Sequence, residues 1–65
     1  MQNLKIGSYY EFYHIGNIVY EGLVLAIDKR FVKIHAGKNR KLIENYTMVI
    51  DAKYLDPKEV DIYEN

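Results

Sequence analysis

The chain of 65 residues contains no cysteine and no tryptophan, and only one proline and one serine. Without cysteine there is neither a disulfide nor a thiolate metal site, and the expected setting is cytoplasmic rather than secreted. His14 and His35, 21 positions apart, have no carboxylates at ligand spacing, so no metal and no cofactor is expected. Ser8, the lone serine, sits in no nucleophile elbow, and Gly37-Lys38 lacks the rest of a phosphate-cradling loop. No carboxylate belongs to a motif that would tune its pKa, and so short a chain has little volume for a closed pocket. Catalysis is therefore not the expected function. The longest apolar run, Leu23 to Ile27, falls far short of the ~20 residues that cross a bilayer. Met1 to Gly7 lacks the apolar core of a signal peptide, and no membrane partner is expected.

Net charge is absent too, since nine basic and nine acidic side chains cancel. They are unevenly placed. Asp28 to Lys41 holds six of the nine basic residues and one acid, whereas Asp51 to Asn65 carries five acids and two lysines. A local positive surface on a neutral chain is the footprint of a partner. The candidate nucleic-acid-binding residues are Lys29, Arg30, Lys33, Lys38, Asn39, Arg40 and Lys41, with His35 and Tyr46, and Phe31 beside them, as stacking groups. Such a set would hold RNA or single-stranded DNA by attraction to phosphate and by stacking, each stacked base contributing roughly 1–3 kcal/mol.

Seven tyrosines are too many for the core of one small domain spanning 1–65. Tyr9, Tyr13 and Tyr20 are the candidate interaction surface, since tyrosine combines apolar area with a wet hydroxyl. A chain this short buries roughly 60% of its unfolded surface. Self-association is a common remedy, so a homo-oligomer is expected. The alternative to nucleic-acid binding is a phage- or plasmid-type protein-interaction module, an adaptor or inhibitor using exposed tyrosines and acidic segments.

Apolar residues alternate, which is the strand period. Tyr9 to His14 forms one strand, and Gly16-Asn17 signals a turn. On Ile18 to Asp28, Val19, Leu23, Leu25 and Ile27 are expected to face the core, opposite Tyr20, Val24 and Ala26, with a bend at Gly22. Asp28-Lys29-Arg30 reverses the chain into Phe31 to Ala36, where Val32, Ile34 and Ala36 share a face. Residues 37–40 read as a hairpin tip, and Lys41 to Glu44 and Thr47 to Asp51 as two short strands separated by a turn at Asn45-Tyr46. Asp56-Pro57-Lys58-Glu59 fits a helix start, while Val60 and Ile62 suit a strand equally, and a short helical turn near Tyr54 to Lys58 is favoured. Five short strands without room for a crossover helix give an all-β fold: a five-stranded, strongly bent antiparallel barrel.

The stretch Tyr20 to Asp28 resembles the first Sm motif of the Sm and Hfq-like RNA-binding family. Gly22 precedes Asp28 by six positions as the family's glycine precedes its aspartate, Gly16 stands near the earlier glycine, and Phe31-Val32 match the following apolar pair. Leu42 to Ile50 sits where the second motif would lie, though without its Arg-Gly pair or a Tyr-Lys-His run, and Arg30 is an extra residue in the loop after Asp28. Tyr20-Glu21-Gly22 with Val24 is equally similar to the bend of SH3- and Tudor-like barrels, and Asp51 to Leu55 to the helical turn before an SH3 domain's last strand. The first resemblance implies an RNA-binding ring, and the second a partner-binding barrel. Lacking tryptophan, this chain has no counterpart of the paired tryptophan with which SH3 domains grip proline-rich ligands.

Overall fold

Alternating β-branched and aromatic residues, broken by two-residue reversals, produce strands throughout. The computed structural model describes residues 3–63. Its strands are β1 (Tyr9–His14), β2 (Asn17–Asp28), β3 (Phe31–Lys38), β4 (Lys41–Asp51) and β5 (Asp56–Val60). They form one antiparallel sheet in the order β4-β3-β2-β1-β5, and the described residues contain no helix. Backbone pairing leaves β4 and β5 as two open edges, so the sheet is not closed into a hydrogen-bonded barrel.

The hairpins explain the meander. Ile15 and Gly16 have φ of 48° and 78°, and Asn39 and Arg40 have φ of 54° and 64°. Positive φ at both central residues is the type I′ pattern, whose twist matches the flanking strands. The first reversal thus falls at Ile15-Gly16 rather than Gly16-Asn17, because Asn17 already pairs with His14. Likewise Gly37 and Lys38 belong to β3, and only Asn39-Arg40 form the tip.

Three irregularities correct the strand-face assignments. Val19 is an extra residue between the pairs Phe12–Tyr20 and Tyr13–Ile18, and Leu25 between Val24–Ile34 and Ala26–Lys33. Each bulge resets the alternation. As a result Val24 and Ile27 share the face of Ile34 and Val32, although they are an odd number of residues apart. Val24 is fully buried, whereas Val19, Leu25 and Ile27, expected inside, are exposed and Leu23 is only half-buried. On β4, residues 43–46 oppose Ala36 alone, and Asn45 has φ of 59°. The turn expected at Asn45-Tyr46 is therefore a wide bulge within one continuous strand. The tail is also corrected. A single hydrogen-bonded turn, Leu55 N–H to the Ala52 carbonyl, leads into β5 instead of a helix. Pro57 is tolerated because β5 is an edge.

The core joins Tyr10 and Phe12 of β1 to Val24, Val32, Ile34, Ile50 and Ala52, with Leu4, Met48 and Leu55 packed against it. Residues from β1 and β4 meet in this cluster although β2 and β3 lie between them in the sheet, so the sheet curls strongly. Gly22 permits a close backbone approach, since a Cβ there would stand 2.6 Å from the His35 carbonyl oxygen.

Candidate interaction surface

The face of the sheet opposite the core carries Tyr9, Glu11 and Tyr13 on β1, Glu21 and Leu23 on β2, and Lys33 and His35 on β3. Register sets their neighbours. Glu11 stands directly opposite Glu21, a like-charge pair that is unfavourable by itself. Donors gather around it. The Tyr9 hydroxyl donates to Glu21 Oε1 at 2.9 Å, the Tyr13 hydroxyl to Glu11 Oε1 at 2.9 Å, and the Arg40 N–H to Glu21 Oε1 at 3.0 Å. Arg40 Nε lies 3.7 Å from Glu11 Oε2, and its guanidinium covers the Tyr63 ring at 5.8 Å. Glu11 is only 8% exposed, so the Arg40 guanidinium and the Tyr13 phenol are what make its burial tolerable. Burial, then the bond to Glu21 and the charges of Glu21 and Glu11, push the Tyr9 phenol pKa well above its ordinary 10.0. The bond to Glu11 likewise raises that of Tyr13. An open cleft of about 250 Å³ adjoins this cluster, lined by Glu11, Ile18, Glu21, Asn39, Arg40 and Tyr63.

At the other end of β3, Arg30 holds Asp51 with both Nε and a terminal nitrogen, and its guanidinium lies 5.6 Å from the Phe31 ring centroid. This pairing raises the Arg30 pKa and, with the Lys53 N–H at 3.1 Å, lowers that of Asp51. Phe31 remains 47% exposed beside a groove of about 290 Å³ that is mostly apolar, lined by Ala26, Ile27, Asp28, Phe31, Lys33 and Val49.

The nine candidate nucleic-acid residues are therefore not brought together. Lys29 and Arg30 precede the start of β3 and Lys38 to Lys41 lie at its far end, eight residues or roughly 25 Å of strand away. Lys33 and His35 point away from the core, whereas Lys38 continues the face of Ile34 and Ala36. His35 Nε2 lies 2.7 Å from the Ile43 carbonyl oxygen, which makes it a donor tied to the wide bulge. Tyr46 is exposed within that bulge. Arg30 and Arg40 are engaged by carboxylates, and among the described residues Lys29, Lys33, Lys38 and Lys41 form no ion pair.

The three-tyrosine surface also divides. Tyr9 is 3% exposed, its hydroxyl committed to Glu21 and its ring closing on Gly37, so it is not available to a partner. Tyr13 is half-buried on that same face, and Tyr20 pairs with Phe12 on the core face while remaining exposed. Sequence reasoning missed the Glu11–Glu21–Arg40 cluster, which only hairpin register reveals. It also missed the groove around Val49, for which alternation along β4 was the available signal. Among the described residues, no three His, Cys, Asp or Glu side chains gather where they could hold a metal ion. Compared with protein-family models, curated proteins and solved structures, the chain shows no match.

Proposed function

We propose that the protein is a non-catalytic protein-interaction module, a small barrel of the SH3 or Sm kind that works as an assembly of identical copies. The barrel reading is supported by the four-strand meander, the return of β5 to β1, and the curl that brings β1 and β4 side chains into one core. The interaction reading is carried by the apolar surface. Among the described residues, fifteen large hydrophobic side chains are exposed against nine buried hydrophobic residues. Scattered exposure means little, but Ala26, Ile27, Phe31 and Val49 line one groove next to an open edge.

Solution mass by light scattering, at low and moderate salt and with and without a short single-stranded RNA, tests this reading. A multiple of the monomer mass that persists at moderate salt and ignores RNA is the expected result. A monomer under every condition overturns it.

One observation favours a second reading, nucleic-acid binding. Phe31 is an exposed ring with Arg30 over it, and Lys29 and Lys33, both without ion-pair partners among the described residues, lie close by in sequence. RNA would then add mass, and raised salt would remove it. The informative charge reversal is Lys29→Glu with Lys33→Glu. Reversing Arg40 would disturb the Glu11–Glu21 cluster and confuse folding with binding.

A further inference from the structure

The two edges of the sheet are unequally protected. β5 has five residues, and Pro57, Lys58 and Glu59 give it a missing N–H and two charges. Those are the usual guards against strand addition. β4 has eleven residues, and from Thr47 to Ile50 it carries no charge, proline or glycine. Val49 in the middle of that segment is 64% exposed.

The hydrogen-bond phase of this segment can be read directly. The Ala52 N–H donates to the Arg30 carbonyl at 2.8 Å, so Ala52 turns its backbone toward β3. In an antiparallel pair both backbone groups of a residue point to one side, and the side alternates along the strand. Met48 and Ile50 thus also bond to β3, while Thr47, Val49 and Asp51 aim their N–H and C=O groups at the open edge. No loop or terminus among the described residues makes a backbone hydrogen bond to them.

We propose that two copies of the chain join through this edge, with residues 47–51 of each running antiparallel about a two-fold axis at Val49. This rests on the reading that the protein self-associates, and it specifies the surface. The pattern is self-complementary. Val49 meets Val49 of a second copy in a reciprocally bonded pair, and Thr47 of each meets Asp51 of the other, so a hydroxyl faces a carboxylate and no like charges are opposed. The same operation on β5 centred at Lys58 would set Lys58 against Lys58. The wide bulge at residues 43–46 ends the pairing on one side, and the turn after Ala52 ends it on the other. The groove of Ala26, Phe31 and Val49 then continues across the two-fold and covers the exposed valine. Being isologous, the contact closes at a dimer.

The chain has no cysteine, so a single introduced thiol reports the geometry without competition. In a bonded antiparallel pair the two Val49 Cα atoms lie about 5.5 Å apart, within disulfide range. Two Thr47 residues would be offset by four positions, roughly 13 Å, beyond that range. Under mild oxidation Val49→Cys should link into a dimer at least roughly tenfold faster than Thr47→Cys, and both positions are exposed enough to leave the fold intact. Val49→Lys, which sets two ammonium groups face to face, should weaken dimerisation by roughly tenfold or more. If the unmodified chain assembles but the two cysteine variants link at equal rates, or Val49→Lys assembles as well as the parent, the β4 pairing is wrong and the interaction reading stands. A chain that is monomeric throughout overturns both.

Discussion

Replacing Tyr9 by phenylalanine removes one buried hydroxyl and nothing else. That hydroxyl donates to Glu21 Oε1 at 2.9 Å, and a hydrogen bond to a charged group contributes about 1.5–3 kcal/mol. Two effects reduce the loss. Phenylalanine has no polar atom to bury, and Glu21 keeps the Arg40 N–H at 3.0 Å. The expected net destabilisation is about 1–2 kcal/mol, which in a domain of this size lowers Tm by roughly 4–16 °C. The effect also carries a pH signature. Burial, the bond to Glu21 and the neighbouring carboxylates raise the folded-state phenol pKa above its ordinary 10.0. The fold therefore favours the protonated form. Tyr9's contribution is complete below the unfolded value and declines as pH rises through 10.0 toward the folded one. Urea unfolding of parent and variant at pH 8 and at steps through pH 11 measures the gap between them. The other six tyrosines are common to both chains and cancel in the difference. The gap should narrow above pH 10. A gap at pH 8 within about 0.5 kcal/mol, the scatter of a neutral surface change, or one that stays constant to pH 11, refutes the reasoning.

Two further perturbations separate strain from charge. Ile15 is a β-branched residue at φ 48° and 83% exposed, so it bears the left-handed penalty with little burial in return. Ile15→Gly should stabilise the fold by about 1 kcal/mol, read from the urea midpoint, and a lower midpoint would mean the tip does something the monomer's packing does not show. Arg30→Ala should let the Asp51 pKa rise toward its ordinary 3.8, because the guanidinium bond outweighs the Lys53 N–H. Asp51 is depressed in the fold, so its contribution is present above the unfolded value and lost as pH falls through the folded one. The variant should thus lose part of the stability change on acidification, and an Asp51 carboxyl resonance that titrates unchanged would contradict the assignment.

The first three strands were legible in the sequence, and so were the faces of β3, because Phe31 to Ala36 alternates without interruption and Val32, Ile34 and Ala36 are buried as the period demands; β4 was read as two strands and β5 was not read as one. β2 failed for a definite reason. Val19 and Leu25 are ordinary strand residues, and nothing in their chemistry announces a bulge; the extra residue becomes visible only when the partner strand is counted. Asn45 gave a true signal that was misjudged in scale, since positive φ there widens one strand instead of ending it. The tail was ambiguous by construction. An aspartate-proline start suits a helix, and the free edge of β1 decided for a strand, as tertiary pairing overrides a weak local preference.

The basic run shows why a cluster in sequence need not be a patch in space. A strand sends alternate side chains to opposite faces and carries its two ends far apart, so cations spread over thirteen positions scatter unless register gathers them. Here register does the reverse and delivers acids to them: Asp51 reaches Arg30 across β3–β4, and Glu11 with Glu21 reaches Arg40 where the hairpin tip turns. Both arginines act as counterions within the fold, which accounts for a third of the run's cations without any partner. Local pairing leaves over Lys29, Lys33, Lys38 and Lys41, which form no ion pair among the described residues, and the apolar groove of Ala26, Phe31 and Val49 beside the β4 edge. The proposal of a protein partner therefore rests on that exposed apolar groove, and the proposal of a phosphate backbone on the four lysines without ion pairs, which is why salt dependence separates the two.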